Sequence, residues 1–258
     1  MSDEAPLVRV ALEEEGALLH VTLNRPKANI LDRGMVAALH DALNTHGNRL
    51  GLKTILFDAA GEHFSFGASV EQHRPAEVAH LLGDFHHLFH ELAVSGKVCL
   101  AAVRGLCLGG GLELAAFCHR VFAAPGAKLG NPEIKLGVFA PLASVVLPFR
   151  VGQPAADDLL LTGRTVEAPE ALALRLGDEI VEDPTAAALA WHHTHLAPLS
   201  AAALEHAVGA ARLALYRAID QDLPLLEHHY LEDLMATTDA REGIEAFLAR
   251  RTPQWTHQ

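Results

Sequence analysis

The sequence predicts a mixed α/β fold that ends in a purely helical region. Up to about residue 195, short apolar or alternating runs typical of strands lie between segments with the apolar period of a helix. Beyond that point Ala, Leu and His dominate, and no run typical of a strand occurs. Interleaved strands and helices are typical of a layered α/β core. We therefore predict a core domain over residues 1–195 and a helical C-terminal region over residues 196–258.

The first predicted element is a β-hairpin. Apolar and polar residues alternate over residues 7–12 and 17–23, and an acidic turn at residues 13–16 separates the two runs. Pro26 ends the pattern because proline cannot donate to a strand ladder. A helix is predicted next, from Asp32 to about Leu50, with apolar residues at helical spacing at Met35, Val36, Leu39, Leu43 and Leu50.

Further strands and helices alternate through the middle of the chain. Strands are predicted at residues 53–58, 97–103, 121–124, 128–130 and 177–181. Helices are predicted at residues 78–94, 112–118, 143–149, 155–161 and 169–174. Between them, residues 61–67 are expected to form a loop, and residues 105–111 a glycine-rich turn that leads into the helix at 112–118.

Three helices are predicted in the C-terminal region, over Ser200–Ile219, Leu223–Met235 and Arg241–Arg250. Asp239 and Glu242 stand at the spacing of an N-cap residue and its N3 partner, so we expect them to cap the last helix. The succession of strands, turns and helices has no period clear enough to assign a repeat.

The charge and hydropathy of the chain exclude several classes of protein. The 258 residues carry 20 Lys and Arg against 32 Asp and Glu, a net charge of −12 with His neutral. Such an acidic chain repels phosphate backbones, so no nucleic-acid partner is expected. Residues Met1–Glu4 are acidic, and no apolar run reaches roughly 18 residues, so neither a secretory signal nor a membrane span is predicted. We expect a cytoplasmic protein without membrane contact.

Cysteine and histidine residues do not form the pattern of a metal site. The three cysteines, Cys99, Cys107 and Cys118, lie in apolar stretches without a CxxC pair, which is typical of buried thiols in a reducing compartment. His86 and His90 have the i, i+4 spacing of two metal ligands, but no third ligand lies near them in the sequence. The glycines of residues 105–111 lack the G-x-G-x-x-G spacing of a nicotinamide-binding loop. No metal is expected.

One glutamate stands out by its surroundings. Glu113 is the only carboxylate among the 14 residues of Gly105–Cys118. Carboxylates are rare in such apolar stretches unless they pair with another charged group or take part in the chemistry of a site. The exposed face of a short helix could also hold one. The glycines that open this helix leave its N–H groups unobstructed, which suits a developing oxyanion. A second carboxylate, Glu133, follows a proline turn, and the two predict acid and base chemistry next to a carbonyl.

Five sequence blocks resemble the crotonase (enoyl-CoA hydratase/isomerase) superfamily and occur in its order. They are Leu23–Asn29, Phe64–Ser69, Ala101–Ala115, Gly130–Gly137 and Asp239–Phe247. The resemblance, which covers nearly the whole chain, implies a spiral of ββα units whose C-terminal helices form a homotrimer that often pairs into a homohexamer. It also implies an acyl-CoA thioester as the substrate. Coenzyme A is then part of the substrate, and no separate cofactor is expected.

The resemblance implies roles for individual residues. The backbone amides of Ala68 and Gly110 would form the oxyanion hole for the thioester oxygen. Glu113 and Glu133 would hold a water molecule, one activating it while the other handles the proton at carbon. Because many isomerases keep only one of these acids, the pair favours hydration. The residues expected to bind the coenzyme A thioester are Arg25, Lys27, Ala28, Phe66, Ser69, Val70, Gly109, Phe247 and Arg251.

Three departures from the family pattern bear on the substrate. Ser69 and His119 stand where the family usually has aspartate, and residues 138–146 replace a glycine-rich block of the straight-chain hydratases. We expect the bulkier Leu142 and Val145 to reshape the cavity around the acyl tail. With both glutamates retained, the pattern resembles hydratases of cyclic dienoyl-CoA thioesters in anaerobic aromatic degradation.

Other functions are compatible with the same residues. A short-chain enoyl-CoA hydratase of fatty-acid β-oxidation shares the paired glutamates, and the altered block disfavours it. An enoyl-CoA isomerase is disfavoured by the presence of both acids. A non-catalytic module that binds coenzyme A or RNA is disfavoured by those acids and, for RNA, by the negative charge.

Overall fold

The computed structural model describes residues 5–258, so the acidic start Met1–Glu4 lies outside the described residues. Within residues 5–258, nine strands form two sheets. The strands are β1 (Val8–Glu13), β2 (Leu18–Leu23), β3 (Thr54–Ala59), β4 (Val98–Val103), β5 (Leu106–Leu108), β6 (Arg120–Ala123), β7 (Lys128–Gly130), β8 (Thr165–Glu167) and β9 (Glu179–Ile180).

Helices pack on the sheets and dominate the C-terminal region up to Leu248. The α-helices of the described chain are α1 (Arg33–His46), α2 (Val78–Ser95), α3 (Gly110–Phe117), α4 (Pro141–Val151), α5 (Gln153–Thr162), α6 (Ala168–Ala173), α7 (Pro184–His195), α8 (Ala201–Ala211), α9 (Leu213–Gln221), α10 (Leu223–His228) and α11 (Thr238–Leu248). Short 3-10 turns lie at Glu14–Gly16, Glu71–His73 and Pro132–Leu136, and a π-helical turn at His229–Leu234.

The larger sheet has the strand order β1-β2-β3-β4-β6-β9. The β1–β2 hairpin is antiparallel, and every other pair in this sheet is parallel. All residues of β3 and β4 are buried, because a parallel sheet is covered on both faces. One face packs in the main core with α1 to α4, and the other packs against α7 and α8. This covering explains why both strands have nearly continuous apolar sequences.

The smaller sheet brings the two predicted carboxylates to one edge. Its order is β5-β7-β8, with β5 and β7 parallel and Leu108 opposite Gly130. The carboxyl ends of parallel strands lie at the same edge, and the Gly109 amide donates to the Gly130 carbonyl at 2.9 Å. The helix α3 leaves β5 at this edge, and the turn Pro132–Leu136 leaves β7 beside it. The segments that carry Glu113 and Glu133 therefore begin beside each other at this edge of the sheet.

Most predicted elements are present, the helix α7 was not predicted, and further details differ. The helix α1 ends at His46, and Leu50 lies outside it, 98% exposed. The glycine-rich turn contains strand β5, because Leu106 to Leu108 pair with β7. Strand β8 was missed, since three residues are too few to give a periodic pattern. The predicted helix over Ser200–Ile219 is two helices that meet at Arg212.

The predicted cap of the last helix was also wrong. Thr237 is the N-cap residue of α11, and its hydroxyl oxygen accepts from the Ala240 amide. Asp239 lies inside the first turn, and its carboxylate accepts hydrogen bonds from the Thr256 and His257 amides. The spacing alone could not distinguish a cap from an anchor for the C-terminal tail.

Between residue 201 and Leu248 the structure has helices joined by short turns and no strand. The division at residue 195 and the role of these helices in oligomerisation stay predictions. No helix among the described residues is long and apolar enough to cross a bilayer.

Candidate active site

A cavity of about 700 Å³ lies between the start of α3, the turn Pro132–Leu136, α2 and the C-terminal helices. It gathers residues from seven separate parts of the sequence, between Ile30 and Pro253. Ten of the thirteen predicted site residues line it: Phe66, Ala68, Ser69, Val70, Gly109, Gly110, Glu113, Glu133, Phe247 and Arg251. Their roles in binding or catalysis stay predictions, but their common location makes this cavity the candidate active site.

Two backbone amides face each other at one wall of the cavity. A Cβ atom on Gly67 would lie 3.2 Å from the Gly110 nitrogen, and one on Gly110 would lie 3.3 Å from the Ala68 nitrogen. Within residues 5–258 neither the Ala68 nor the Gly110 amide donates a hydrogen bond. Gly110 is the first residue of α3, where amides have no partner inside the helix. This arrangement can hold one anionic oxygen between two donors.

Glu113 lies in the first turn of α3, a helix in which every residue is buried. Its Oε1 accepts a hydrogen bond from the Ala143 amide at 2.7 Å, near the start of α4. Burial, followed by the nearby charge of Glu133, raises the pKa of Glu113 above its usual range, and the Ala143 amide opposes this. The side chain is therefore held in one position and retains a proton to a higher pH than an exposed glutamate.

Glu133 approaches the same space from the turn Pro132–Leu136. A Cβ atom on Gly109, whose φ is +51°, would lie only 2.5 Å from Glu133 Oε1. Glu133 Oε2 is buried and has no hydrogen-bond partner within the described chain. Burial raises the pKa of Glu133, while its own amide and the Asn131 side chain lower it. Two like charges cannot both be stable here, so the pair holds one proton most readily.

The structure adds residues that the sequence did not single out. Tyr230, Phe85 and His73 line the cavity, and so does His86, which the sequence had raised only as a metal ligand. Tyr230 lies on the π-helical turn, is fully buried, and its hydroxyl has no partner in the described chain. Burial and then the charges of Glu133 and Glu113 raise its pKa, so the phenol stays protonated. Its only sequence signal is rarity, since the chain has two tyrosines.

Two histidines belong to the cavity wall. His86 was considered above as a metal ligand, but its Nδ1 lies against the Glu227 carboxylate across from α2. His73 Nδ1 donates to the Ser69 carbonyl at 2.7 Å, and burial lowers its pKa, which keeps the ring neutral. Among the described residues no group of three His, Cys, Asp or Glu is arranged to hold a metal.

Three predicted binding residues lie outside the cavity. Arg25 donates to Asp32 Oδ2 at 2.7 Å and to the Ile30 carbonyl, so it holds the loop before α1. Lys27 is exposed. The Ala28 carbonyl accepts from the Phe66 amide at 2.8 Å, which places this loop beside the cavity mouth. Only Lys27 of these three has a cationic side chain available at the surface.

At the other end of the cavity Arg251 forms a two-pronged ion pair with Glu242, with 2.8 Å between Nη2 and Oε2. Phe247 is 53% exposed and lies on α11 beside it. Both residues line the cavity of their own chain.

The expectation for Leu142 and Val145 was wrong. Both side chains are buried in the main core and do not line the cavity. Because α4 begins at Pro141, its first turn directs these residues away from the site. The replaced block instead contributes Val138, Phe139, Ala140 and Pro141 to the cavity wall. The block therefore does shape the cavity, through the residues that precede the helix.

The other two departures have different consequences. Ser69 lines the cavity, and its Oγ accepts from the Gln72 amide at 3.4 Å. His119 lies away from the cavity, and its Nδ1 accepts from the Cys99 amide at 2.9 Å. Burial and the nearby Arg212 lower the pKa of His119 to about 3, so the ring is neutral. The histidine that stands here in place of the family's usual aspartate therefore affects packing and not the cavity.

The sequence is similar to known proteins over nearly its whole length. The profile of the enoyl-CoA hydratase/isomerase family matches residues 13–258. A cyclohexa-1,5-dienecarbonyl-CoA hydratase from Thauera aromatica is 49% identical over 258 residues, which cover all of both chains.

Solved structures have the same fold. An enoyl-CoA hydratase from Mycobacterium avium superposes with a TM-score of 0.84 at 26% identity, covering 98% of this chain and 100% of the other. An enoyl-CoA hydratase/isomerase from Pseudoalteromonas atlantica superposes with a TM-score of 0.83 at 26% identity, covering 97% of this chain and 100% of the other. The α/β arrangement and the helical C-terminal region are therefore shared with these proteins.

Proposed function

The chain belongs to the enoyl-CoA hydratase/isomerase family, and on that premise we propose that it adds water to a conjugated cyclic dienoyl-CoA thioester. One observation carries the proposal most directly. Glu113 and Glu133 share a buried cavity with the unpaired amides of Ala68 and Gly110. The full-length similarity to the Thauera aromatica protein supports a cyclic dienoyl substrate. The proposed reaction converts cyclohexa-1,5-diene-1-carbonyl-CoA into 6-hydroxycyclohex-1-ene-1-carbonyl-CoA, as in anaerobic degradation of benzoyl-CoA.

The amides determine where water can add. The thioester oxygen accepts from the Ala68 and Gly110 amides, which stabilise negative charge on it. Attack of water at ring carbon 2 sends charge through carbon 1 to that oxygen. Attack at carbon 6 leaves charge on carbon 5, which has no conjugation with the carbonyl. The pair of amides therefore favours carbon 2, and removing one such donor costs about 3–4 kcal/mol of transition-state stabilisation.

The two carboxyl groups then balance the protons. The ionised member of the Glu113–Glu133 pair takes a proton from the attacking water as the C–O bond forms. The protonated member gives its proton to ring carbon 5, and the double bond moves between carbons 1 and 6. Water is consumed, one hydrogen and one hydroxyl are gained by the ring, and the pair again holds one proton. Each positioned group contributes a factor of about 10² to 10⁴ in rate.

The cavity walls suit a compact ring. Phe85, Phe139 and Tyr230 line it together with aliphatic side chains such as Leu82 and Val138. Flat aromatic walls pack well against a planar diene, and their apolar character excludes bulk water from the dienolate. The coenzyme A portion would leave past Phe66 and the exposed Lys27, whose charge suits phosphate.

A side-by-side assay tests the proposal. The purified protein is offered cyclohexa-1,5-diene-1-carbonyl-CoA and crotonyl-CoA, and kcat/KM is measured for each from the ultraviolet absorbance of the conjugated thioester. We expect efficient turnover of the cyclic diene and little turnover of crotonyl-CoA. The reverse preference would indicate a straight-chain hydratase. Binding of either thioester without any absorbance change would indicate a module without activity.

We also propose that the protein assembles as a homotrimer or homohexamer. Exposed apolar side chains on its helices, including Phe149, Leu161 and Leu225, support association with further copies. Sedimentation equilibrium would distinguish these states from a monomer, whose mass is 27.6 kDa.

A further inference from the structure

The most unusual polar group outside the predicted site is the Tyr230 hydroxyl. Tyr230 is fully buried, lines the cavity, and its hydroxyl has no hydrogen-bond partner in the described chain. Burying a hydroxyl without a partner costs roughly 1–3 kcal/mol, so such groups are normally satisfied. An unpaired donor in the wall of a cavity can supply a hydrogen bond to a polar atom that binds there.

Another residue of the cavity wall also carries a buried polar atom that lacks a partner among the described residues. Glu133 Oε2 is buried without a partner in the described chain, and it is an acceptor when ionised. The tyrosine hydroxyl is a donor, so the two groups are complementary. Burial is the main cause of the raised pKa of Tyr230, and the charge of Glu133 and then that of Glu113 raise it further, so these groups interact electrostatically. One water molecule bound by both would satisfy both atoms, and Glu113 lines the same cavity.

The local backbone holds Tyr230 in place. It lies on the π-helical turn His229–Leu234, a kind of turn that occurs frequently at functional sites. Its ring packs edge-on against Phe139, with 5.3 Å between ring centroids, and lies 6.5 Å from the His73 ring. Phe139 belongs to the block that replaces the glycine-rich segment of straight-chain hydratases. The phenol and this block thus form one continuous wall.

We propose that Tyr230 is a positioning residue for hydration: its hydroxyl donates a hydrogen bond to the nucleophilic water that the Glu113–Glu133 pair activates. This inference rests on the proposed hydratase function. The tyrosine keeps its own proton throughout, while one proton of the water goes to the ionised carboxylate. Its hydrogen bond fixes the direction of the water's lone pair toward the ring carbon under attack. Misplacing a reactant by about 1 Å can cost a factor of about 10² in rate.

The chain offers a matched control in its other tyrosine. Tyr216 also has a buried hydroxyl without a partner in the described chain, but it packs on Phe117 and does not line the cavity. Tyr230→Phe and Tyr216→Phe therefore each remove a buried hydroxyl oxygen that has no partner in the described chain. Both changes should leave the free energy of unfolding unchanged or higher, because each removes an unpaired buried hydroxyl.

The test compares both variants with the wild type on the thioester that the wild type hydrates fastest. For Tyr230→Phe we expect kcat to fall about 10- to 100-fold with KM unchanged, and for Tyr216→Phe no change in either. The acidic limb of the kcat/KM profile should also move to higher pH in Tyr230→Phe alone. The phenol stabilises the ionised carboxylate through water, so its loss raises the pKa of the base.

Other titratable groups of the cavity also contribute to the pH profile. These groups are Glu71, His73, His86, Glu113, Glu133, Lys135 and Arg251, with Glu227 behind His86 and His229 beside Phe139. None of them is altered in either variant, so a shift confined to Tyr230→Phe reports the lost hydroxyl.

Three results would overturn the inference. Tyr230→Phe could retain the wild-type kcat and pH profile, or Tyr216→Phe could lose as much activity as Tyr230→Phe. A loss of activity matched by a loss of stability would point to a structural role. Failure of the proposed function is visible separately in the wild type, which would then prefer crotonyl-CoA or hydrate neither thioester.

Discussion

Replacement of Glu113 by glutamine should move activity and stability in opposite directions. The glutamine side chain retains an oxygen that can accept from the Ala143 amide, as Glu113 Oε1 does at 2.7 Å, so it keeps the same position. It cannot exchange a proton with water or with the ring. Since a positioned acid or base contributes about 10² to 10⁴ in rate, we expect kcat to fall by that factor. This corresponds to about 3 to 5 kcal/mol of transition-state stabilisation.

The stability change follows from the raised pKa of Glu113. In the unfolded chain this carboxyl has its usual pKa of 4.5 and ionises above that pH. In the folded protein, burial and the charge of Glu133 keep the proton bound to a higher pH. The folded state therefore binds more protons in that interval, and stability falls as the pH rises through it. Glutamine removes this penalty. At pH 7 we expect the free energy of unfolding of Glu113→Gln to exceed that of the wild type by more than about 1 kcal/mol.

Urea unfolding at several pH values and a steady-state assay measure both effects. The exposed Glu182, which does not line the cavity, provides the control Glu182→Gln, for which neither effect is expected. The wild-type kcat/KM profile should be bell-shaped, because the pair is active with one proton and inactive with none or two. Near-wild-type turnover in Glu113→Gln, or a loss of stability at pH 7, would refute the reasoning.

Three further changes have distinct expected outcomes. Gly109→Ala should lower kcat by about 10- to 100-fold, because the new Cβ would lie 2.5 Å from Glu133 Oε1, while Gly126→Ala, which has open space, should not. In His119→Asn the loss of stability on acidification should be weaker. On folding, the pKa of the wild-type ring falls from 6.5 to about 3, so protonation favours the unfolded state. The free energy of unfolding should therefore decrease by up to about 1.4 kcal/mol per pH unit as the pH falls between these values, which urea unfolding measures. Lys27→Ala should raise KM roughly threefold at low salt and leave kcat unchanged, and an unchanged KM would exclude a phosphate contact.

The sequence predicted the parts of the site that depend on local chemistry. A carboxylate in an otherwise apolar stretch and a run of glycines mark Glu113 and Gly110 without any structure. The pairing of Glu113 with Glu133 was expected from the resemblance to the hydratases, and strands β5 and β7 bring the two together by ending at one edge.

The residues that were missed depend on long-range packing. Tyr230 is 97 residues beyond Glu133 in the sequence and reaches the cavity through a π-helical turn, which has no reliable sequence signature. Leu142 and Val145 were misassigned because the direction of their side chains depends on where α4 begins. Asp239 was misassigned because its partners, the Thr256 and His257 amides, lie in a tail without periodic pattern.

The position of the incoming hydrogen tests the central claim most directly. Hydration of cyclohexa-1,5-diene-1-carbonyl-CoA in deuterium oxide can be followed by nuclear magnetic resonance of the product. If charge passes through the thioester oxygen between the Ala68 and Gly110 amides, deuterium enters at carbon 3 of 6-hydroxycyclohex-1-ene-1-carbonyl-CoA, across the ring from the hydroxyl. Deuterium at carbon 5, next to the hydroxyl-bearing carbon, would mean direct addition to the remote double bond and would contradict the account.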